Sequence, residues 1–236
     1  SKWCIIKKVI RPHNTLLKRE IIQTSDGSTT IHIPEWNEQY HSIHGAIQEA
    51  YHVYINHGLA SKTANELAIL EIGFGTGLNS FITFLEAQKN NISIEYVGVD
   101  AYPVLQEELE KLNYVAQLEA SHAAEIFETL HLCSWEEKYQ ITSAFSLLKR
   151  KQFFHEIDDE NTFDLIYFDA FGARVQPELW TEEIFKKMFL ALKPKGVLVT
   201  YAAKGSVRRA MQSVGFTVER LPGPPGKREM LRAVKM

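Results

Sequence analysis

The sequence holds two cysteines in 236 residues, and Cys4 and Cys133 stand too far apart for a C-x-x-C redox or metal pair. Both are expected as free thiols in a reducing compartment. The nine histidines form no H-x-x-x-H or H-E-x-x-H pattern, so no metal is expected. No apolar run reaches the roughly 18 residues of a membrane helix, and no signal-like apolar block stands near the first residues. The expectation is a cytoplasmic protein with no membrane partner. Internal repeats and low-complexity tracts are also missing.

What is present suits one larger globular unit, with 45% hydrophobic and 23% charged residues. Residues 1–60 read as a small N-terminal extension, a β-hairpin and a helix, packed on a catalytic domain of residues 61–236. Ile21 to Ile33 carries Ser25-Asp26-Gly27-Ser28 between β-favouring segments, a hairpin with its turn at Asp-Gly. Ser42 is expected to cap a helix through Ile43, Ile47, Tyr51 and Tyr54, with Gly58 as its stop.

Beyond that the chain alternates. Strands are expected at Leu67 to Ile72, Ile94 to Val99, Phe163 to Phe168 and Val197 to Tyr201. Helices are expected near Leu78 to Lys89, Val104 to Leu112 and Glu178 to Leu192. Near-continuous apolar strands separated by helices argue for a parallel sheet covered on both faces. At the end, Phe216 to Arg220 and Glu229 to Val234 flank a Pro/Gly loop with no helix between them, so they must pair as an antiparallel hairpin. The stretch from His131 to Glu160 shows no clear period.

The most informative segment is Leu70 to Asn79, an apolar strand ending in an acid and running into Gly73, Gly75 and Gly77. Glycine lets a backbone turn sharply and approach a ligand closely. Dinucleotide folds use G-x-G-x-x-G instead. The E-x-G-x-G-x-G spacing resembles motif I of class I S-adenosylmethionine methyltransferases, while a plain strand-to-helix corner is the bland alternative. Two further acids end strand candidates. Asp100 is placed to accept both ribose hydroxyls of a nucleotide cofactor, or else to cap the next helix. Asp169, in Phe168-Asp169-Ala170-Phe171, lies beyond a strand's carboxyl end, where open α/β sheets bind ligands, and it is the catalytic candidate. Phe168 and Phe171 serve either as pocket walls drawn to a sulfonium cation or as core.

Charge is uneven. From Lys204 to Met236 there are eight lysines and arginines against two acids, on a chain whose formal net charge is −3. Such an end can grip phosphate, with Arg208, Arg209, Lys227 and Arg228 as the candidate phosphate contacts. A solvated surface is the alternative. Tyr40 and His41, just ahead of the first helix, are candidates for closing the site over substrate, although a histidine beside an aromatic also reads as structural.

The chain resembles the MnmD family, the methyltransferase unit of bifunctional MnmC enzymes that act on wobble uridine of tRNA. The matching segments are Thr24 to Ser28, Tyr40-His41-Ser42 with His44-Gly45-Ala46, Leu70 to Asn79, Phe168 to Phe171, Pro177-Glu178-Leu179-Trp180-Thr181, Thr200-Tyr201 with Gly205 to Arg209, and Lys227-Arg228-Glu229-Met230. The resemblance implies a Rossmann-like class I methyltransferase with a mostly parallel seven-stranded sheet and a C-terminal antiparallel hairpin. It implies S-adenosyl-L-methionine held by Glu71, Gly73, Gly75, Gly77, Asn79, Asp100, Asp169 and Phe171. It also implies methylation of the aminomethyl nitrogen of 5-aminomethyl-(2-thio)uridine, supplied by another enzyme, because no second glycine motif marks a flavin oxidase half. The competing readings are a small-molecule N-methyltransferase, an NAD-linked dehydrogenase and a catalytically silent RNA-binding module.

Overall fold

The computed structural model describes residues 17–236; Cys4 lies outside the described residues. The extension begins as the expected hairpin, β1 (Glu20–Gln23) paired antiparallel with β2 (Thr29–Ile33), and a short β3 (Glu38–Gln39) joins it to make three strands. Its turn does more than reverse the chain. Asp26 accepts from the Thr24 hydroxyl at 2.9 Å and the Ser28 N–H at 3.0 Å, and this cluster also receives the free N–H groups of helix α1 (Ala46–Ala50). Ala46 donates to the Thr24 hydroxyl, Ile47 to the Ser28 hydroxyl and Gln48 to Asp26 Oδ2, at 3.2, 3.4 and 3.0 Å.

The expected Ser42 cap is therefore corrected. The helix starts four residues later, after Gly45, where a Cβ would stand 2.8 Å from Asp26 Oδ2, and the acceptors come from the hairpin. Ser42 Oγ instead accepts from His44 N–H in the preceding turn. The helical path runs on through a π turn, Tyr51–Asn56, and ends two residues before Gly58.

The rest of the chain is built on β4 (Glu66–Ile72), α2 (Leu78–Asn90), β5 (Ser93–Val99), two short helices α3 (Gln106–Leu109) and α4 (Tyr114–Gln117), then α5 (Ala124–Leu132), β6 (Lys138–Thr142), β7 (Phe145–Arg150) and β8 (Phe163–Phe168). It continues with α6 (Glu182–Ala191), β9 (Leu192–Thr200), α7 (Gly205–Ser213), β10 (Thr217–Pro222) and β11 (Glu229–Val234). The sheet order is β10-β11-β9-β8-β4-β5-β7-β6. The five strands β7, β5, β4, β8 and β9 are parallel, and β11 enters antiparallel beside β9, pairing with β10 as the terminal hairpin.

The sheet has eight strands rather than seven, because β6 pairs antiparallel with β7 at the far edge. These two strands occupy the stretch with no clear period. In β7 the apolar rhythm is broken by Ser146 and Lys149, both buried, so the strand does not show in the sequence. Lys149 is accommodated because its ammonium donates to the His131 carbonyl at 2.7 Å and lies 5.1 Å from the Trp135 ring.

Alternation along the central strands supplies two cores. Ile69, Tyr96 and Tyr167 face α1, α2 and α5, while Leu70, Ile72 and Phe168 face α6 and α7. Each fully buried Leu, Ile or Phe contributes about 1.5–3 kcal/mol. Chain order reverses between β4 and β8, since β5 and β7 grow to one side and β8 and β9 to the other. The crevice beyond their carboxyl ends is where such a sheet takes a ligand. Among the described residues no helix is long and apolar enough to cross a membrane.

Candidate active site

A cavity of about 1160 Å³ opens at that crevice. Its floor is the glycine turn. Gly73 and Phe74 N–H both donate to the Val99 carbonyl, at 3.0 and 3.1 Å, folding the turn back over β5. Gly73 has φ 90°, and a Cβ there would stand 2.6 Å from the Asp169 carbonyl oxygen. At Gly75, φ 50°, a Cβ would stand 3.1 Å from the Tyr40 ring, and at Gly77, φ 73°, 2.7 Å from His131. All three positions combine left-handed backbone with a close neighbour, which only glycine satisfies.

Three acids meet this floor. Asp100 accepts from Gly75 N–H and from Tyr102 N–H, each at 2.9 Å, so it braces the glycine turn and the next loop. It caps no helix, since α3 begins six residues on and spans only Gln106–Leu109 of the expected Val104 to Leu112. Glu71 is 1% exposed, with Tyr96 donating to one oxygen at 2.6 Å and Asn79 to the other at 3.0 Å. Burial pushes its carboxyl well above the ordinary range. Asn79 donates its second amide hydrogen to Asp169 Oδ2 at 2.9 Å and so joins the ends of β4 and β8. Burial, and next the charge of Glu49, push the Asp169 carboxyl up to about 7.

The extension closes one side of the cavity. Tyr40 meets Phe171 edge to face at 5.0 Å, and Trp36 meets the same ring at 5.6 Å. Phe171 thus lines the cavity, whereas Phe168 is buried against Trp180 and Phe185. His41 is buried, with Nδ1 2.9 Å from the Thr30 hydroxyl and Nε2 3.3 Å from the Thr76 hydroxyl, so it pins the extension to the glycine turn. Two arginines hold this roof. Arg19 donates to Glu108 at 3.1 Å and to the carbonyls of Tyr102 and Pro103. Arg174, in the loop after β8, donates to Glu38 at 3.1 Å and to the carbonyls of Trp36 and Asn37.

The basic end divides. Arg220 pairs with Glu229, Arg232 with Glu219, and Lys235 bonds Asn161 and the Leu192 carbonyl. Lys227 departs from its expected place on a phosphate-facing surface. Its ammonium turns inward to Glu49 at 2.7 Å and lies 3.9 Å from the centre of the Tyr201 ring. Lys204, Arg208, Arg209 and Arg228 have no ion-pair partner among the described residues, and Arg209 and Arg228 are exposed. Sequence reasoning missed Arg19, Trp36, Glu38, Glu49 and Tyr201 as cavity residues. For Glu49 a signal existed, because it shares the Ala46, Ala50 and Val53 face of its helix, an acid on an apolar stripe.

The profile of a family described as S-adenosyl-L-methionine-dependent methyltransferase matches residues 113–236, more than half of the chain. The chain belongs to that family. Its cofactor is S-adenosyl-L-methionine. The tRNA 5-methylaminomethyl-2-thiouridine biosynthesis bifunctional protein MnmC of Leptospira borgpetersenii is 28% identical over 213 residues, 83% of this chain and 32% of that protein. MnmC of Cupriavidus metallidurans is 27% identical over 227 residues, 89% and 33%. The chain spans about a third of the length of these curated relatives.

Among solved structures, MNMC2 from Aquifex aeolicus superposes with a TM-score of 0.74 at 24% identity, covering 95% of this chain and 72% of that one. Spermidine synthase from Thermotoga maritima gives 0.50 at 13%, covering 96% and 84%. Both show the methyltransferase-type α/β fold, and the resemblance to the methyltransferase unit of MnmC is borne out.

The residues present fit the cofactor. The glycine turn is a cradle that side chains would fill, and the carboxyls of Asp100 and Asp169 line the cavity beside it.

Proposed function

We propose that this chain methylates the aminomethyl nitrogen of 5-aminomethyl-(2-thio)uridine at the tRNA wobble position, giving 5-methylaminomethyl-(2-thio)uridine. The observation that carries this reading is Asp169, a carboxyl poised near neutral pH beside the glycine cradle, in a chain whose relatives are named for that biosynthesis. S-adenosyl-L-methionine supplies an electrophilic methyl on a sulfonium. Gly73, Gly75 and Gly77 hold it, with Asn79, Asp100 and Phe171, while Glu71 acts through Asn79 rather than by contact.

The substrate amine resembles that of lysine, with a pKa of about 10.4, and is mostly protonated at pH 7. Freeing its lone pair costs roughly 4–5 kcal/mol. Asp169 receives the proton that leaves nitrogen, and in its ionised form it orients the amine; such proton transfer contributes typically 10²- to 10⁴-fold. Tyr40, Phe171 and Trp36 offer a wall on which a base can stack. Arg208, Arg209 and Arg228 would meet tRNA phosphates, positioning the substrate without reading its sequence. The division into residues 1–60 and 61–236 serves the same purpose, with the extension as a roof over the substrate.

The test is incubation with labelled S-adenosyl-L-methionine and tRNA lacking only the final methyl, followed by nucleoside mass analysis. Label on the wobble nucleoside is the expected result. Equal labelling of a free aminomethyl nucleoside or small amine without tRNA would instead favour a small-molecule N-methyltransferase. Asp169→Asn is expected to keep cofactor binding by calorimetry and to lose at least about 100-fold in single-turnover rate. An unchanged rate removes Asp169 from the chemistry.

A further inference from the structure

Glu49 and Lys227 come from distant parts of the chain, α1 and the β10–β11 loop, yet both reach the cavity wall. Glu49 is 4% exposed, and both of its oxygens are engaged. One accepts from Ser42 N–H at 3.1 Å and the other from the Lys227 ammonium at 2.7 Å. Lys227 in turn lies on the Tyr201 ring, and the Tyr201 hydroxyl donates to the Ala170 carbonyl at 2.7 Å, one residue past Asp169. The Tyr54 hydroxyl, five residues beyond Glu49, is buried on the side of Asp169. A buried ion pair is weak evidence for stability, because desolvation offsets most of its attraction. This pair, with Glu49 buried and Lys227 only half-buried at the cavity wall beside that carboxyl, points to another use.

We infer that the Glu49–Lys227 pair is a positioning device for Asp169, its balance of charge setting whether that carboxyl is ionised when the substrate amine arrives. The inference rests on the reading of Asp169 as the proton acceptor. The groups that face Asp169 are Glu49 and Tyr54 from α1 and its continuation, Glu71 from β4, Asn79 from α2, Tyr96 from β5, Tyr114 from α4, Tyr201 after β9, and Lys227. Of these, Lys227 is the cation and Glu49 the nearby carboxylate that opposes it. Glu71 is bonded to Tyr96 and Asn79, and burial disfavours its charge. Burial is the main cause of the raised Asp169 carboxyl; on top of it Glu49 favours the neutral form and Lys227 the carboxylate.

The test follows the Asp169 carboxyl directly, by carbon-13 NMR titration of the full chain labelled at aspartate, with Asp169→Asn identifying the resonance. Glu49→Gln keeps an acceptor for Ser42 and is expected to lower the titration midpoint by about one pH unit; Lys227→Met raises it by a smaller amount. The double variant lies between the two single variants. The acid limb of kcat/KM against pH, measured with aminomethyl-bearing tRNA, moves in the same order. Either single variant decides, so a folding failure in one leaves the other. Midpoints unmoved in variants that still bind S-adenosyl-L-methionine overturn the inference and make the pair structural. Should the midpoints move while wild type methylates no tRNA, the coupling stands and the proposed substrate falls.

Discussion

His41 is a neutral side chain by construction. Burial pushes it down to about 4 from an ordinary 6.5, and its two nitrogens are matched to hydroxyls rather than carboxylates. Because the folded value lies below the unfolded one, its stabilising contribution is complete above pH 6.5 and is lost as pH falls towards 4. The difference is worth roughly 3 kcal/mol. Asp169, with a raised value, works in the opposite sense, so the comparison must be between wild type and His41→Asn. The stability gap between them in urea unfolding is expected to narrow from pH 7 to pH 4; a constant gap would show that His41 is not held neutral. At Gly73, φ 90° and the Asp169 carbonyl leave no room for a methyl group. Gly73→Ala is expected to lower stability by about 1–3 kcal/mol and to weaken S-adenosyl-L-methionine binding at least tenfold by calorimetry. The sequence showed this residue plainly, because nothing but glycine fits the pattern. Glu49 and Lys227 were not legible as partners, since 178 positions separate them and only the fold brings them together.

At the scale of elements, α1 shows how a cap can come from outside its own segment. Asp26, Thr24 and Ser28 receive three helix N–H groups, while Asp26 also ties its own turn. Asp26→Ala should therefore cost about 1–2 kcal/mol, at the upper range for a cap, and Ser42→Ala much less. Thermal unfolding of the two variants distinguishes them; equal losses would restore Ser42 as the cap. The central strands were readable because they are apolar on both faces. β6 and β7 were not, because buried Ser146 and Lys149 break the rhythm. Helix α3 fell short of its expected length because its segment bends across the cavity and is held by Arg19.

At the scale of the molecule, three of the eight positive charges of the C-terminal segment are held in ion pairs and Lys235 is tied to an amide and a carbonyl, which leaves Lys204, Arg208, Arg209 and Arg228 unengaged in this way among the described residues. Removing charge at Arg209 and Arg228 is expected to flatten the slope of log K against log salt for tRNA by roughly one unit for each phosphate no longer neutralised. Lys227→Met should leave that slope unchanged while altering turnover, and filter binding across a salt series separates the two outcomes. Composition alone could not make this division, since it counts charge and not direction.

The roof has a consequence of its own. Each end is fastened by one arginine, Arg19 to Glu108 and the more exposed Arg174 to Glu38, whereas the floor is stitched by backbone hydrogen bonds and apolar packing. Counterions loosen the first kind of fastening and scarcely touch the second. A rise in ionic strength is therefore expected to weaken the Arg174 contact before that of Arg19, while His41 and the rings of Tyr40 and Trp36 keep the roof seated on the floor.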